Sequence, residues 1–343
     1  GSSVLAAPKG NFGSIEDKGI EITRDAHPFT GDFQWDSNFQ ISFNRNTLKA
    51  LSGTTAASIV GYGQWSDVVC VSEIGKPLYN FYGYVVEGVY ESLEDIENSP
   101  KTAKHPANGV YNRSNTVWVG DLKYKDINKD GKIDDQDRTD IGSPLPKFTF
   151  GWNNTFRYKN FDLNIFLNGS YGNKVLNYSL MNGPSGGLAS MRSAWVNQNN
   201  NAIKDRAQLA PIDPDKVYES GNWYDDITNV KVVNSGTKTP RPTLNDPNDN
   251  DRLSTRYIED GSYLRIKNLT LGYTFPKKWM QKAHFDNIRV YCNIQNLYTF
   301  TKYSGYDPEV GASTQDSSGY AYGVDNGRYP SPTTYSFGVS LSF

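Results

Sequence analysis

The last nine residues constrain the fold most, because apolar and small polar side chains alternate there without a fault. The segment 335–343 reads Tyr-Ser-Phe-Gly-Val-Ser-Leu-Ser-Phe. A period of two residues is that of a β-strand with one apolar and one polar face. The chain therefore ends on a strand that requires an apolar environment on one side only.

Six earlier segments show the same alternation. The predicted strands lie near residues 14–25, 32–45, 146–158, 160–171, 261–275, 286–299 and 333–343. Asn154 interrupts the apolar positions of the third segment. Alternation of this kind, in a chain rich in Gly, Asn, Ser and Thr, predicts an all-β fold.

Charge and cysteine content exclude several classes of protein. The formal net charge is −2, and no basic cluster indicates nucleic-acid binding. Cys70 and Cys292 lie far apart, in no metal or redox spacing. The mean hydropathy of −0.63 does not exclude a membrane protein, because a spanning strand exposes only alternate side chains to lipid.

The connections between the predicted strands alternate in length. Short turns at 27–31, 158–161 and 276–285 alternate with long loops at 47–145, 172–260 and 301–332. A soluble β-sandwich also has strands with one apolar face, but its architecture does not require short and long connections to alternate. Outer-membrane barrels have short periplasmic turns and long extracellular loops. The pattern favours a transmembrane barrel whose three long loops lie outside the cell.

Seven strands do not close such a barrel, since bacterial barrels have an even number of at least ~8 strands. Open edges in lipid would also expose unpaired backbone groups. We therefore expect the chain to be the C-terminal part of a larger barrel, with its polar face toward the lumen. The predicted lumen-facing residues are Arg157, Asp162, Asn164, Arg289, Asn293 and Gln295.

Three longer segments carry a family resemblance. They are Gly120-Asp-Leu-Lys-Tyr-Lys-Asp-Ile-Asn-Lys-Asp-Gly-Lys-Ile-Asp134, Ile141-Gly-Ser-Pro-Leu-Pro146 and Tyr263-Leu-Arg-Ile-Lys-Asn-Leu-Thr-Leu-Gly-Tyr-Thr-Phe-Pro276. Shorter matches occur at 11–22, 81–84 and 305–310. In this order, and over nearly the whole chain, they resemble the SusC/RagA family of TonB-dependent outer-membrane transporters.

The resemblance implies a barrel of roughly 22 strands, the size class of plugged outer-membrane transporters, of which this chain would supply the last third. In that family an N-terminal plug fills the lumen and a TonB-contacting segment couples uptake to inner-membrane energy. A SusD-like surface lipoprotein captures glycans or peptides. No plug or TonB-contacting residues are visible in this sequence, so this chain alone is not expected to transport anything.

Residues 126–137 form the best-defined chemical motif. Oxygen ligands at positions 1, 3 and 5, Gly131 at position 6, a backbone carbonyl at position 7 and an acid at position 12 match a calcium-binding loop. The ligands would be Asp126, Asn128, Asp130, Lys132 through its carbonyl, Asp134 and Asp137. The flanks do not predict the helices of an EF-hand, so we expect a weak, structural Ca²⁺ site. The alternative is a turn in which Asp and Asn side chains bind their own backbone.

Aromatic side chains in the long loops are candidates for substrate binding. Flat rings next to amides and carboxylates suit the apolar faces and hydroxyl groups of sugars. The candidates are Trp65, Tyr82, Tyr84, Trp223, Tyr306 and Tyr322. The alternative is that long loops need an aromatic core of their own, or pack against the lipoprotein.

An enzymatic function is not predicted. Gly183-Pro-Ser-Gly-Gly187 satisfies G-x-S-x-G, but the strand and helix that a nucleophile elbow requires are missing. His27, His105 and His284 have no partner spacing typical of a metal or acid–base site.

Phe343 has a separate predicted role. A terminal Phe that ends an alternating strand resembles the signal by which barrel proteins reach the outer-membrane assembly machinery. The alternative is an interfacial aromatic residue, and both roles are compatible.

The predicted function is TonB-dependent import of glycans or peptides across the outer membrane of a Gram-negative bacterium, together with a SusD-like lipoprotein. The alternative is a secreted all-β ligand-binding module that carries a calcium loop. Solubility without detergent distinguishes the two.

Overall fold

The computed structural model describes residues 13–51, 58–63, 68–182, 205–219, 221–243, 246–280, 285–312 and 320–343, and these are built mainly from β-strands. The strands in chain order are β1 Gly13–Thr30, β2 Phe33–Leu51, β3 Ser58–Tyr62, β4 Val68–Glu73, β5 Asn80–Gly83, β6 Val86–Val89, β7 Lys101–Thr102, β8 Leu122–Tyr124, β9 Lys132–Ile133, β10 Thr139–Gly142, β11 Phe148–Tyr158, β12 Phe161–Tyr171, β13 Lys174–Asn177, β14 Leu209–Pro211, β15 Val230–Val232, β16 Ile258–Asp260, β17 Tyr263–Thr274, β18 Asn287–Thr301, β19 Val324–Asp325 and β20 Thr334–Ser342.

Helices are short in the described part of the chain. The α-helices are α1 Leu93–Glu97, α2 Tyr178–Asn182 and α3 Lys277–Met280, and the 3-10 helices are Asp135–Asp137, Trp223–Asp225, Ile227–Asn229 and Thr255–Tyr257. In these ranges no helix has the length and apolar character needed to cross a membrane.

The seven longest strands form one antiparallel sheet in the order β1-β2-β11-β12-β17-β18-β20. Each strand pairs with the next one of the sheet along the chain, so the sheet has no crossover. Each of the seven segments predicted as strands overlaps one strand of this sheet. β1 and β2 are longer than the alternation indicated, because their pairing continues to Thr30 with Gln34 at one end and to Gly13 with Leu51 at the other.

The two faces of the sheet differ in polarity. Register aligns apolar residues of successive strands into rows, one of which contains Val339, Val290, Tyr273, Phe161, Tyr158 and Phe33. Four of these six side chains are exposed, from 43% for Phe33 to 64% for Val339, and Val290 and Tyr273 are half-buried. A soluble sandwich would cover this face with a second sheet. Among the described residues no second layer does so.

Asn154, which interrupts the apolar pattern, is satisfied within the sheet. Its side chain is buried and its carbonyl oxygen accepts a hydrogen bond from Trp35 Nε1 at 3.0 Å. A polar group on the apolar side is tolerated when it is hydrogen-bonded. The interruption therefore leaves the strand intact.

The buried core lies in the long loops, which fold into a layer of their own. The remaining strands form small sheets there, such as β10-β5-β4-β3 and β16-β13-β19. One apolar cluster joins the first two loops around Trp118 and Val230. A second joins all three loops around Phe81, Tyr257 and Val324. Apart from Leu48 of β2, the buried apolar residues belong to this loop layer.

A buried polar network also joins the first two loops. The guanidinium of Arg241 contacts the fully buried carboxylate of Asp121 at 2.8 Å. Asn250 donates to Asp121 at 3.3 Å and to Asp246 at 2.8 Å. Burial raises the pKa of Asp246 to about 6, because the charged form loses its hydration. These buried contacts fix the position of the second loop relative to the first.

Candidate functional site

The six residues predicted to face a lumen all lie on the polar face of the sheet. Rows of paired residues run across the strands: Arg157, Asp162, Gly272, Tyr291 and Gly338 form one, and Thr155, Asn164, Thr270, Asn293 and Ser336 form the next. Arg289 lies opposite Thr274, and Gln295 lies opposite Asn268. These six residues therefore share one face of the sheet.

Arg289 and Asp162 form an ion pair that spans the intervening strand β17. The Nη2 of Arg289 lies 2.5 Å from one carboxylate oxygen of Asp162, and its Nε lies 3.1 Å from the other. Gly272 lies beneath the pair, and a Cβ atom there would overlap both charged groups. The glycine is required because the two-pronged contact passes directly over the backbone.

Arg157 takes part in a second charged group, which the sequence pattern did not reveal. Its guanidinium pairs with the carboxylate of Asp36 on β2. His27 Nδ1 lies 2.6 Å from the other oxygen of the same carboxylate. Asp36 alternates correctly for the polar face, but only the pairing of β2 with β11 places it within reach of Arg157. His27, whose sequence spacing indicated no partner, therefore lies next to an acidic side chain.

Amide and hydroxyl groups continue the polar face between the charges. The amide of Asn164 donates to Asn153 Oδ1 and to Thr155 Oγ1, both at 2.9 Å. Thr270 donates to the side chain of Asn293 at 3.3 Å. Donors and acceptors are largely paired with one another, so the surface is hydrophilic but electrically balanced. Such a wall suits passage or contact of polar groups more than tight capture of one charge.

Two segments that carry the family resemblance, 263–276 and 305–310, meet at the end of the sheet where the long loops lie. Arg265 of β17 is buried and donates to Asp307 at 2.5 Å and to Glu309 at 2.8 Å. Asp307 also accepts backbone hydrogen bonds from Glu309 and Ser331. The ion pair fixes the third long loop to the sheet, a role that sequence reasoning did not assign to these residues.

The predicted calcium loop folds as a tight turn whose carboxylates bind the loop's own backbone. The carboxylate of Asp126 accepts hydrogen bonds from the N–H groups of Lys129 at 2.6 Å and Gly131 at 2.8 Å. Asp137 accepts from the N–H groups of Ile127 and Asp134, both at 2.8 Å. The last position of the loop is thereby joined to its second residue.

The other predicted ligands follow the same pattern. Asn128 accepts from the N–H of Asp130, Asp130 from that of Lys132, and Asp134 from that of Gln136. Gly131 has a φ of +82°, as the turn requires. In the described ranges no group of three or more His, Cys, Asp or Glu side chains is arranged to hold a metal ion. Calcium binding stays a prediction that depends on the ligand spacing.

The loop aromatics predicted for substrate binding differ in accessibility. Tyr84 is buried in the first apolar cluster, and its hydroxyl donates to Asp135 at 3.1 Å. Trp223 is half-buried against the same cluster. Tyr82 is half-buried below the guanidinium of Arg138, with 5.2 Å from ring centroid to Cζ.

Tyr322 and Tyr306 lie in the third long loop. Tyr322 is half-buried and stacks on Tyr79, with 5.7 Å between ring centroids. Tyr306 is 75% exposed, which leaves its ring free for contact with a ligand. Trp65 lies outside the described residues, as do Gly183-Pro-Ser-Gly-Gly187 and His284. Their predicted roles stay predictions.

The surroundings of His105 and Phe343, two further residues considered in the sequence, differ in exposure. His105 Nε2 lies 3.0 Å from the hydroxyl of Tyr111, which also contacts Glu97. Burial, followed by the charge of Lys101, lowers the pKa of His105, so its ring is mainly neutral at pH 7. Phe343 follows the last strand and is 91% exposed.

A sheet with one exposed apolar face, one polar face and all long loops at one end is the wall of a large β-barrel. Comparison with solved structures agrees with this class. The structure of the RagAB peptide transporter matches 97% of this chain and 30% of its own, with a TM-score of 0.63 and 19% sequence identity. At this identity the similarity supports the fold alone.

The curated relatives of this chain are named TonB-dependent receptors. TonB-dependent receptor P3 of Formosa agariphila is 31% identical over 342 residues, which are 97% of this chain and 29% of the relative. TonB-dependent receptor SusC of Bacteroides thetaiotaomicron is 25% identical over the whole of this chain and 28% of its own length. No family model matches the chain.

The predicted resemblance is therefore confirmed: over nearly all of its length the chain is similar to TonB-dependent receptors, SusC among them. It spans about three tenths of the length of these curated relatives.

Proposed function

We propose that the protein containing this chain imports nutrients across the outer membrane and that TonB supplies the energy for uptake. The observation that carries the proposal is the reversed polarity of the sheet, whose apolar side chains are exposed while its charged and amide groups share the other face. Lipid on one side and an aqueous lumen on the other satisfy both faces. The names of the relatives support the same function.

In this proposal the polar face is the wall against which the lumen-filling plug or a passing solute lies. The pairs Arg289 with Asp162 and Arg157 with Asp36 balance their charges within the wall. A solute therefore meets hydrogen-bonding groups without a strong field of either sign. We expect polar, largely neutral cargo to pass this surface without being trapped.

The cargo is proposed to be glycans or peptides, captured with a SusD-like surface lipoprotein at the loop layer. Exposed Tyr306 and half-buried Trp223 supply rings that suit either class. The three long loops are proposed to lie outside the cell, because they share one end of the sheet and contain folded apolar cores.

An uptake experiment tests the function and separates the two classes of cargo. The full-length gene is deleted and restored from a plasmid, and cells are supplied with labelled oligosaccharides or labelled oligopeptides. We expect the deletion to abolish accumulation of one class, the plasmid to restore it, and a protonophore to block it. Unchanged uptake of both classes, with the protein in the soluble secreted fraction, would favour the secreted binding module instead.

We also propose that the loop from Asp126 to Asp137 binds Ca²⁺ as a structural ion. Binding would require its carboxylates to turn from backbone N–H groups toward the cation, so weak affinity is expected, on the order of 10⁻⁴–10⁻³ M. Terbium luminescence of the full-length protein, compared with a variant in which Asp126→Asn and Asp130→Asn are combined, measures this. Equal luminescence from both proteins would leave the loop a self-contained turn.

A further inference from the structure

Exposed aromatic rings lie along the short-turn end of the sheet, which among the described residues comprises 31–32, 159–160, 275–280 and 285–286. Phe33, Tyr158 and Phe161 occupy one row across β2, β11 and β12, with exposed fractions between 43% and 53%. Rings also touch in series from Phe161 through Tyr273 and Phe275 to Trp279, with centroid distances of 4.8, 5.3 and 6.4 Å. We call these residues the short-turn rim.

Trp279 extends the rim beyond the last sheet residue. It lies on α3, directly after β17, and its side chain is 62% exposed although one edge contacts Phe275. A Trp ring with an apolar body and a polar N–H suits the boundary between hydrocarbon and headgroups. Its position just past the apolar rows places it at that boundary.

Positive charge accompanies Trp279. Residues 276–286 contain Lys277, Lys278 and Lys282 against one acid, Asp286, in a chain whose net charge is −2. Lys277 and Lys278 are exposed, and no described carboxylate lies within ion-pair distance of either ammonium group. Lys159, in the neighbouring turn, lies 5.1 Å from the ring centroid of Tyr158.

At the opposite end of the sheet several lysines have carboxylate partners. There Lys18 and Lys49 both pair with the carboxylate of Glu16, at 3.0 Å each. Lys267 lies 3.8 Å from Glu309. Exposed Lys147 and Lys302 at that end also lack a described carboxylate within ion-pair distance. The short-turn end is distinguished by two adjacent unpaired lysines directly beside an exposed Trp.

We propose that the short-turn rim binds anionic phospholipid headgroups, with Lys277 and Lys278 contacting lipid phosphates and Trp279 lying at headgroup level. The inference rests on the proposed location in the outer membrane and adds a choice of lipid. Aromatic rings alone anchor a barrel in any bilayer, whereas the two lysines favour a leaflet that carries negative charge.

Quenching of Trp279 fluorescence by brominated lipid tests the proposal. Full-length protein is placed in nanodiscs that contain brominated phosphatidylglycerol or brominated phosphatidylcholine. Because the chain has seven tryptophans, the signal is the difference between the natural protein and the Trp279→Phe variant. The expected preference for phosphatidylglycerol is about fivefold for each lysine. Combined Lys277→Gln and Lys278→Gln changes should bring it close to one.

A matched control removes the same charge at the other end of the sheet. Exposed Lys147 and Lys302, both changed to Gln, should leave the preference of Trp279 unchanged. Equal quenching by the two lipids in the natural protein, or an unchanged preference after loss of Lys277 and Lys278, would overturn the inference. Absence of quenching by either lipid would instead contradict the proposed membrane location.

Discussion

The sheet and the loop layer use similar apolar residues in opposite ways. In β20, Phe337 and Val339 are 81% and 64% exposed, whereas Phe81 and Trp118 of the loop layer are fully buried. A loop layer that faces water must bury its rings inside itself. A sheet that exposes them requires a different solvent on that side. The difference indicates that one chain folds against two media, an apolar one at the sheet and water at the loop layer.

The largest expected effect concerns delivery of the sheet to its membrane. Deletion of Phe343 should abolish outer-membrane assembly while leaving translation intact, because the exposed terminal ring is the proposed assembly signal. Blots of membrane fractions measure this, with Phe343→Tyr as a control that keeps an aromatic end. Normal levels of the deletion variant would refute the role.

The next effect concerns the loop layer alone. Trp118→Ala should destabilise it by about 3–5 kcal/mol, because a fully buried ring is replaced by a cavity. Limited proteolysis of the loops in urea reports their unfolding while the sheet persists. Trp279→Ala, at an exposed position, should change this unfolding little; equal losses from both variants would contradict a separate loop core.

The third effect distinguishes the two faces of the sheet. Leu271→Arg on the apolar face should cost about 2–4 kcal/mol in a bilayer, the range for a cation placed against lipid. Thr270→Arg, one residue away on the polar face, should cost much less. Urea unfolding in phospholipid vesicles compares them. Similar costs for the two changes would argue against lipid on one side only.

The smallest effect is a pH dependence confined to the loop layer. Burial raises the pKa of Asp246 to about 6, whereas the unfolded chain has an ordinary value near 3.8. The folded form thus binds the proton more tightly, so stability should rise as pH falls from about 6 to about 4, by on the order of 2 kcal/mol. Above that window the buried charge keeps its full cost.

Substitution at Asp246 provides the control. Asp246→Asn should remove most of this slope, whereas Asp249→Asn, with its largely exposed carboxylate, should leave it unchanged. Loop proteolysis at pH 4 to 7 measures the difference. A slope that persists in Asp246→Asn would assign the titration to another group, such as Asp121.

The strands of the sheet could be predicted because their side chains obey one repeating constraint. Alternation from Tyr335 to Phe343 depends only on which face each residue occupies, and that is a local property of the backbone. The lumen-facing set, including Arg289 and Asp162, followed from the same parity. Their ion pair did not, because it depends on Gly272 of a third strand and on the register between strands.

The fold of the loop layer could not be predicted from the sequence, and the reason is physical. Its small sheets and apolar clusters bring together residues far apart in sequence, as Phe81 and Val324 show. Tyr84, a candidate for ligand binding, instead fills this core. Composition indicated that rings are abundant there, but contacts of such long range leave no periodic signal in the sequence.

The most direct test of the central claim is a cysteine scan of β18 in the full-length protein. Single cysteines at positions 288 to 295, in a background lacking other cysteines, carry a spin label whose accessibility to oxygen and to a polar nickel reagent is measured in membranes. We predict a period of two: positions 288, 290, 292 and 294 favour oxygen, whereas 289, 291, 293 and 295 favour nickel. Equal access of nickel to all eight positions would contradict a strand with lipid on one face.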